Sequence, residues 1–368
     1  MKIAPGDVQV RRGATLKEAI ETMDRMTSGV ALIVDEEGCL IGILTDGDIR
    51  RAILRNVDLN SSIEKVMNRS PITATRDFTR KQLMHLIRCK SISHLPVVDS
   101  RNRVVRIIFA HEFINGGDLP ARALIMAGGL GTRLRPLTDD LPKPLLKVGS
   151  KPLLEMIVEQ LADAGVKNIY LSIRYKGGKI EEYFGDGARW GVRISYLKEN
   201  KRLGTAGPLG LIKEDFAEPV LVVNGDILSK VNFKRMVDFH LENRAEMTVA
   251  VKQHVIEVPY GVVKVENDEL VGMSEKPMLK FFINAGIYLL NAGVKDCITP
   301  DTYFDMSDLI TLLINRKSRV CSYPIREYWA DIGSPGDYEK AIDDYAKHFQ
   351  KNPEEEPESK NIYALGGR

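Results

Sequence analysis

The residues best suited to chemistry in this chain begin with a cluster of glycines. Ala127-Gly128-Gly129-Leu130-Gly131-Thr132-Arg133-Leu134 overlaps the end of an apolar, strand-like run at 123–127. Three glycines within four positions clear away side chains, so backbone N–H groups can approach a phosphate or a base. A Walker A loop would need Lys-Ser/Thr directly after its last glycine, and Thr132-Arg133 stands there instead. A dinucleotide fingerprint would run into a helix, but Arg135-Pro136-Leu137-Thr138-Asp139-Asp140-Leu141-Pro142-Lys143-Pro144 is too dense in proline for one. Within that stretch Lys143 is fixed between two prolines, a rigid frame that an ordinary surface lysine does not need. A second candidate is Asp226, just beyond the apolar run at 220–224. In open α/β sheets ligands sit outside the carboxyl ends of strands, where this carboxylate would project. Taken alone, Asn224-Gly225-Asp226 also reads as a plain turn.

The segment from Ala127 to Leu145, AGGLGTRLRPLTDDLPKPL, resembles the signature of the sugar-1-phosphate nucleotidyltransferases, the NDP-sugar pyrophosphorylases. The resemblance implies that Ala127, Gly128, Gly129, Gly131 and Thr132 wrap the triphosphate and base. It further implies that Arg133 meets the β- and γ-phosphates and that Lys143 reaches the reacting phosphate. Asp226 and Asp331, the latter in Trp329-Ala330-Asp331-Ile332-Gly333, correspond to the family's Mg²⁺ ligands. Mg²⁺ takes carboxylates together with substrate phosphates and keeps several waters, so two aspartates suffice. No His or Cys lies nearby in sequence, as a zinc site would want.

Further landmarks follow in the family's order over residues 122–337. Leu203-Gly204-Thr205-Ala206-Gly207-Pro208-Leu209 would set Gly204 and Thr205 against base and ribose. Gly261, in Pro259-Tyr260-Gly261, bares the backbone for a sugar ring. In Glu275-Lys276-Pro277, Glu275 would meet sugar hydroxyls and Lys276 the sugar phosphate. Asn284, in Asn284-Ala285-Gly286, adds another sugar contact.

The reaction so implied is in-line attack by a sugar 1-phosphate oxygen on the α-phosphorus of a nucleoside triphosphate, with pyrophosphate leaving. The attacking group is already an anion, so no general base is needed, in keeping with the lack of any Ser/His or Cys/His arrangement. Catalysis would rest on alignment and charge neutralisation. The form of residues 203–209 looks most like the guanylyltransferases for mannose 1-phosphate and heptose 1-phosphate, which points to GTP before UTP.

These residues need a sheet to position them. Apolar runs at 123–127, 169–173, 220–224, 247–251 and 282–290 alternate with helix-length segments at about 152–164, 177–184, 232–243 and 305–316. Strands spaced by helices predict an α/β, Rossmann-like domain, 118–350, whose mixed sheet is mainly parallel. The first 117 residues have a different texture. Shifted by 64, residues 8–49 fall on their own pattern: Val8 on Ile72, Thr15 on Thr79, Met23 on Ile87, Asp35 on Asp99 and Ile49 on Phe113. Two α+β repeats, 8–55 and 63–114, are expected to bury their sheets against each other. A Gly/Pro cluster at 115–120 reads as a linker, and 351–368 as a polar tail.

Copy one carries Gly42-Ile43-Leu44-Thr45-Asp46-Gly47-Asp48, and the pair resembles tandem CBS domains, which often bind adenine nucleotides. Thr45 and Asp48, at a strand end and helix start, are the candidate nucleotide contacts. In copy two Phe109 replaces Thr45 and Glu112 replaces Asp48, so one good cleft at most is expected. The plainer alternative is a module that only packs and forms homo-oligomers. A CBS pair joined to this transferase is similar to the glucosamine-1-phosphate guanylyltransferases of legionaminic acid synthesis, which would make GDP-glucosamine the product. A non-catalytic nucleotide-sensing scaffold is the alternative of a different class.

Composition bounds the remaining choices. Lys and Arg total 52 against 50 Asp and Glu, a net +2 that offers no nucleic-acid surface. No apolar run approaches the ~18 residues that would cross a membrane, and the N-terminus lacks a signal-peptide core. Four scattered cysteines form no metal or disulfide pattern, so a cytoplasmic protein is expected.

Overall fold

The computed structural model describes residues 4–26, 28–90, 92–109, 119 and 121–349. The expected linker, Leu119 excepted, and the expected tail lie outside them, as do Phe113 and Glu112.

The N-terminal repeats fold alike. In the first, β1 (Gln9–Arg11) pairs in parallel with β2 (Val30–Val34), which pairs antiparallel with β3 (Leu40–Thr45). Helix α1 (Leu16–Arg25) is started by a capping box between Thr15 and Glu18, and α2 (Asp46–Leu54) by one between Thr45 and Asp48. In the second repeat, β4 (Ala74–Thr75), helix α3 (Arg80–Lys90), β5 (His94–Val98) and β6 (Val104–Phe109) repeat the parallel-then-antiparallel order. Val30, Leu32, Leu40 and Ile43 from one sheet meet Val98, Val104, Ile107 and Phe109 from the other in one shared core. The expected burial of sheet on sheet is therefore observed.

Among the described residues, the second domain is built on a seven-stranded sheet. Its members are β7 (Arg122–Met126), β10 (Asn168–Ile173), β11 (Arg193–Lys198), β12 (Val220–Asn224), β14 (Met247–Glu257), β17 (Met278–Leu290) and β18 (Val320–Pro324), in the spatial order β11-β10-β7-β12-β17-β14-β18. Within that sheet β17 alone runs antiparallel to its neighbours. Strand period decides the layers. Leu221 and Val223 face the core under α4 (Leu153–Ala164), α5 (Gly177–Phe184) and α6 (Phe233–Glu242). Val220 and Val222 face the core under α7 (Met306–Asn315). Helix α4 ends at Gly165, whose φ of +96° is the left-handed stop that glycine supplies without strain.

Three short ladders complete the domain. β8 (Lys147–Val148) pairs with β9 (Lys151–Pro152), and β15 (Val262–Glu266) with β16 (Glu269–Ser274). β13 (Ile227–Ser229) pairs antiparallel with β19 (Trp329–Asp331), just before the final helix α8 (Pro335–His348). Among the described residues no helix is long and apolar enough to cross a membrane.

Helix α6 also meets the N-terminal module. Arg235 lies beside Gly29, and the Glu242 carboxylate accepts the Ser93 N–H at 3.2 Å. Asp238 stands between them on the same helix face. Burial, and then the neighbouring Glu242 carboxylate, raise its pKa to about 7. An aspartate that holds its proton more tightly folded than unfolded contributes fully below the unfolded value of 3.8 and loses that contribution as pH rises through 7. Asp238→Asn is therefore expected to exceed the parent chain in stability by about 1–3 kcal/mol near pH 8, with little difference near pH 4. Urea melts at the two pH values measure this.

Candidate active site

The strand ends gather the chemistry. At the carboxyl end of β7 the glycine loop turns back on itself. Gly131 has a φ of +63°, and a Cβ there would stand 3.0 Å from Thr138 and 3.1 Å from Lys143. The proline-dense stretch forms short 3₁₀ turns, Thr132–Leu134 and Lys143–Leu145, in place of a helix. Pro142 and Pro144 frame Lys143, which is nearly buried and sends its Nζ to Asp226 Oδ2 at 2.5 Å. Asp226 reaches that point because Gly225 packs directly on the Met126 carbonyl; a Cβ there would lie 2.7 Å from the oxygen.

The β13–β19 ladder brings the second carboxylate across. Ile227 is the register partner of Asp331, and the Ile332 N–H donates to the Asp226 carbonyl at 3.0 Å. Asp331 is open to solvent. Even so, the protein crowded about it, and then the like charge of Asp226, raise its pKa, against the pull of Lys143 and Arg133. Arg133 lies against Gly333, the glycine that follows Asp331 by two.

A cleft of about 380 Å³ lies over Lys143, Asp226 and Arg133, and Asp331 is not part of its lining. Gly128, Gly129, Gly131, Thr132, Arg133, Lys143, Gly204, Thr205 and Asp226 all line it. Ala127 is buried at the loop's root, where its N–H donates to the Ser172 carbonyl. Opposite the glycines, the turn at 203–207 is pinned to the start of α7. The Thr205 N–H and hydroxyl donate to Asp305 Oδ1 at 3.0 and 3.2 Å, and the Met306 N–H returns to the Thr205 hydroxyl at 2.8 Å. Burial would raise the Asp305 pKa, but the bonds from Tyr303 and Thr205 outweigh it and hold the carboxyl low.

Four cleft residues were not singled out in the sequence: Arg174, Glu199, Arg202 and Asp305. Glu199 follows β11, whose alternation at 193–198 breaks at Tyr196-Leu197 and so gives only a weak signal for it. Its carboxylate accepts the Ser172 hydroxyl at 2.6 Å and the Leu203 N–H at 3.2 Å. A Cβ on Gly128 would stand 2.5 Å from its Oε1, so the middle of the glycine loop is shaped to this side chain. Asn224 also lines the cleft, and its Oδ1 is buried with no hydrogen-bond partner in the described structure.

The expected sugar contacts are placed differently. β14 and β17 run on past the sheet, and the hairpin β15–β16 beyond them is exposed along its whole length. Gly261 and Glu275 are neighbours on this arm: a Cβ on the glycine would lie 3.0 Å from Glu275 Oε2. Lys276 is exposed and adopts a left-handed φ of +43°. Asn284, at the base of the arm, accepts the Gly286 N–H at 3.0 Å. None of the four lines the cleft around the glycine loop.

In the N-terminal module, Thr45 and Asp48 are occupied with each other. The Thr45 hydroxyl donates to Asp48 Oδ2 at 2.7 Å, and Arg51 pairs with Asp48 Oδ1 at 2.7 Å. Both side chains thus serve the start of α2 in this structure.

Gly204 and Gly129 offer a contrast. Gly204 has a φ of +79°, and a Cβ would lie 2.6 Å from the Phe304 carbonyl oxygen. Gly204→Ala is expected to cost about 1–3 kcal/mol, and to weaken the triphosphate binding expected from the sequence about tenfold or more, because the 203–207 turn must leave its seat. A Cβ on Gly129 meets nothing within 4 Å, so Gly129→Ala should melt with the parent chain. Thermal melts and nucleotide titrations of both variants measure the difference.

Residues 122–348 match the nucleotidyl transferase family, and 5–55 and 63–115 each match the CBS domain. A mannose-1-phosphate guanyltransferase of Yarrowia lipolytica is 37% identical over 67% of this chain and 70% of its own length. The protein of that name from Schizosaccharomyces pombe is 37% identical over 66% and 69%. A mannose-1-phosphate guanylyltransferase of Mycobacterium tuberculosis is 33% identical over 63% and 66%. Among solved structures, HddC from Yersinia pseudotuberculosis complexed with GMP-PN is 27% identical, covering 61% of this chain and 99% of that one with a TM-score of 0.48. The chain belongs to the nucleotidyl transferase family: it is a sugar-1-phosphate nucleotidyltransferase with an N-terminal pair of CBS domains.

Proposed function

We propose that the chain transfers a guanylyl group from GTP to a hexose 1-phosphate, releasing pyrophosphate. The observation that carries the transfer is Lys143 held at Asp226 in the cleft of the glycine loop, with Asp331 brought near Asp226 by the β13–β19 ladder though not lining that cleft. Lys143 is a buried cation held at one carboxylate, ready to pass to a phosphate oxygen when the triphosphate enters. Arg133, on the rim, would meet the leaving pyrophosphate. The glycine loop offers backbone N–H groups that are already in place, so binding costs little reorganisation.

Asp226 and Asp331 fit a Mg²⁺ site. Mg²⁺ takes carboxylates together with phosphate oxygens and water, so two carboxylates would leave most of its shell to substrate and solvent. The Asp331 pKa is raised first by the protein crowded about it and then by the like charge of Asp226, and a bound cation would offset that second cause. When bound there, Mg²⁺ would neutralise charge on the α-phosphate and the departing pyrophosphate.

Glu199 supports guanine. A carboxylate only accepts hydrogen bonds, and guanine presents two adjacent donors, N1–H and N2–H, on one edge. Uracil, thymine and cytosine do not present that pair. Two sugars are in contention. Mannose 1-phosphate is named for the relatives above, and glucosamine 1-phosphate is favoured by the union of a CBS pair with this transferase. A regulatory nucleotide at Thr45 and Asp48 would have to compete with the helix cap they form.

Pyrophosphate release with Mg²⁺, across five nucleoside triphosphates crossed with mannose, glucosamine, glucose and heptose 1-phosphates, tests the proposal. GTP with one hexose 1-phosphate should dominate. Asp226→Ala should lower kcat by about 10²–10³, and Glu199→Gln, which replaces an acceptor by a donor, should lower the preference for GTP by about 10–100-fold. Turnover with UTP or dTTP alone, or full activity in Asp226→Ala, would overturn it.

A further inference from the structure

The seam between the CBS pair and the transferase domain holds a guanidinium where apolar packing would be expected. Helix α2 lies against β18, and its Arg50 is fully buried. Every edge of that side chain is engaged. Nε pairs with Asp46 Oδ2 at 2.5 Å on its own helix. Nη1 donates to the Pro324 carbonyl, and Nη2 reaches Glu327 Oε1 at 3.2 Å. The guanidinium carbon stands 3.5 Å from the centre of the Tyr323 ring. Arg50 thus grips residues 323–327 of the other domain from three directions, yet it is not among the residues that line the cleft.

The gripped segment leads directly to Asp331. β18 ends at Pro324, and β19, which carries Asp331, begins at Trp329. The link between them is tied at almost every residue. Lys252 Nζ donates to the Glu327 carbonyl at 3.0 Å, the Lys230 N–H to the Tyr328 carbonyl at 2.9 Å, and the Trp329 indole to the Ala285 carbonyl at 2.9 Å. A segment so tied transmits a shift at one end to the other instead of absorbing it. A buried ion pair is seldom stronger glue than apolar residues of equal volume; what it adds is fixed direction.

We propose that Arg50 is a positioning residue for the transfer reaction. Through the Pro324 carbonyl and Glu327 it sets where β19 lies, and hence where Asp331 stands opposite Asp226. The CBS pair is then a structural part of the catalytic end of the other domain. This rests on the reading of Asp331 as a Mg²⁺ ligand.

The test uses the full chain and four variants: Arg50→Lys, Glu327→Gln, Asp331→Ala and Asp24→Asn. The last breaks another contact of the seam, the Arg326–Asp24 pair at 2.8 and 2.9 Å, without touching Arg50. Arg50→Lys and Glu327→Gln should each lower kcat about 10–100-fold, the scale of a misplacement near 1 Å. They should raise the Mg²⁺ concentration for half-maximal rate several-fold and leave the KM for triphosphate nearly unchanged. Asp24→Asn should do none of this. A second readout needs no turnover. The sequence holds two tryptophans, Trp190 and Trp329; in a Trp190→Phe background the emission of Trp329 should shift in both seam variants while the circular dichroism spectrum is kept. If Arg50→Lys does not fold, Glu327→Gln carries both readouts. Seam variants that only melt earlier, with kcat, Mg²⁺ dependence and Trp329 emission unchanged, would overturn the proposal and leave Arg50 as glue. An active Asp331→Ala would instead remove the Mg²⁺ reading, and the Trp329 signal would still decide whether Arg50 holds β19.

Discussion

Two carboxylates of the same charge are brought near each other by a ladder only three residues long: Asp331 pairs with Ile227, the residue after Asp226. Their repulsion must be opposed for the site to exist. The nearest counter-charge is Lys143, nearly buried and 2.5 Å from Asp226. Much of the surrounding architecture serves this one arrangement. Pro142 and Pro144 hold the lysine's backbone, Gly225 lets Asp226 lie on the β7 carbonyl row, and the Ile332 N–H closes the ladder onto Asp226 itself. On the proposed reading, a phosphate and a cation would give the same groups new partners without moving them far. That is the economy of a preorganised electrostatic site.

The rest of the cleft is shaped by close approach of backbones. Gly128 admits the Glu199 carboxylate, Gly204 lies on the Phe304 carbonyl, and Gly286 lies on the Asn224 amide. In each case a methyl group would collide with a polar atom that lines or braces the cleft. The glycines therefore do more than permit a turn. They set how near one wall of the cleft stands to the other.

Much of this was legible in the sequence because it is local. The 64-residue repeat, the buried strand before Asp226, and the lysine framed by prolines are each written within a few tens of residues. Helices α4, α5, α6 and α7 fall within a residue or two of their periodic segments. What was not legible depends on partners far apart in the chain. Asp305 matters because Thr205 is 100 residues away from it and touching. Glu199 was hidden because β11 is only partly buried and its alternation breaks at Tyr196-Leu197. Asp331 came from motif resemblance; nothing in the local pattern around it announces the ladder with Ile227. Gly261, Glu275 and Lys276 sit on an exposed arm apart from the lining of the glycine-loop cleft, a placement that the local motifs do not reveal.

The seam shows why distance in sequence and distance in mechanism are different things. Asp46 has three guanidiniums around it, those of Arg50, Arg235 and Arg326, the last two at 3.6 and 3.7 Å from an oxygen that makes no hydrogen bond. Burial would raise the Asp46 pKa, and the three cations outweigh it. Such a cluster is a poor source of net stability, since desolvating each ion offsets much of the attraction. Its value lies in allowing one seat. Apolar side chains tolerate small slips against one another, because their attraction has no preferred direction. A planar fork meeting a carboxylate, a carbonyl and a second carboxylate does not. A domain that must hold a carboxylate to within about half an ångström of its working place gains from being fixed by such a contact, even when the contact comes from another domain.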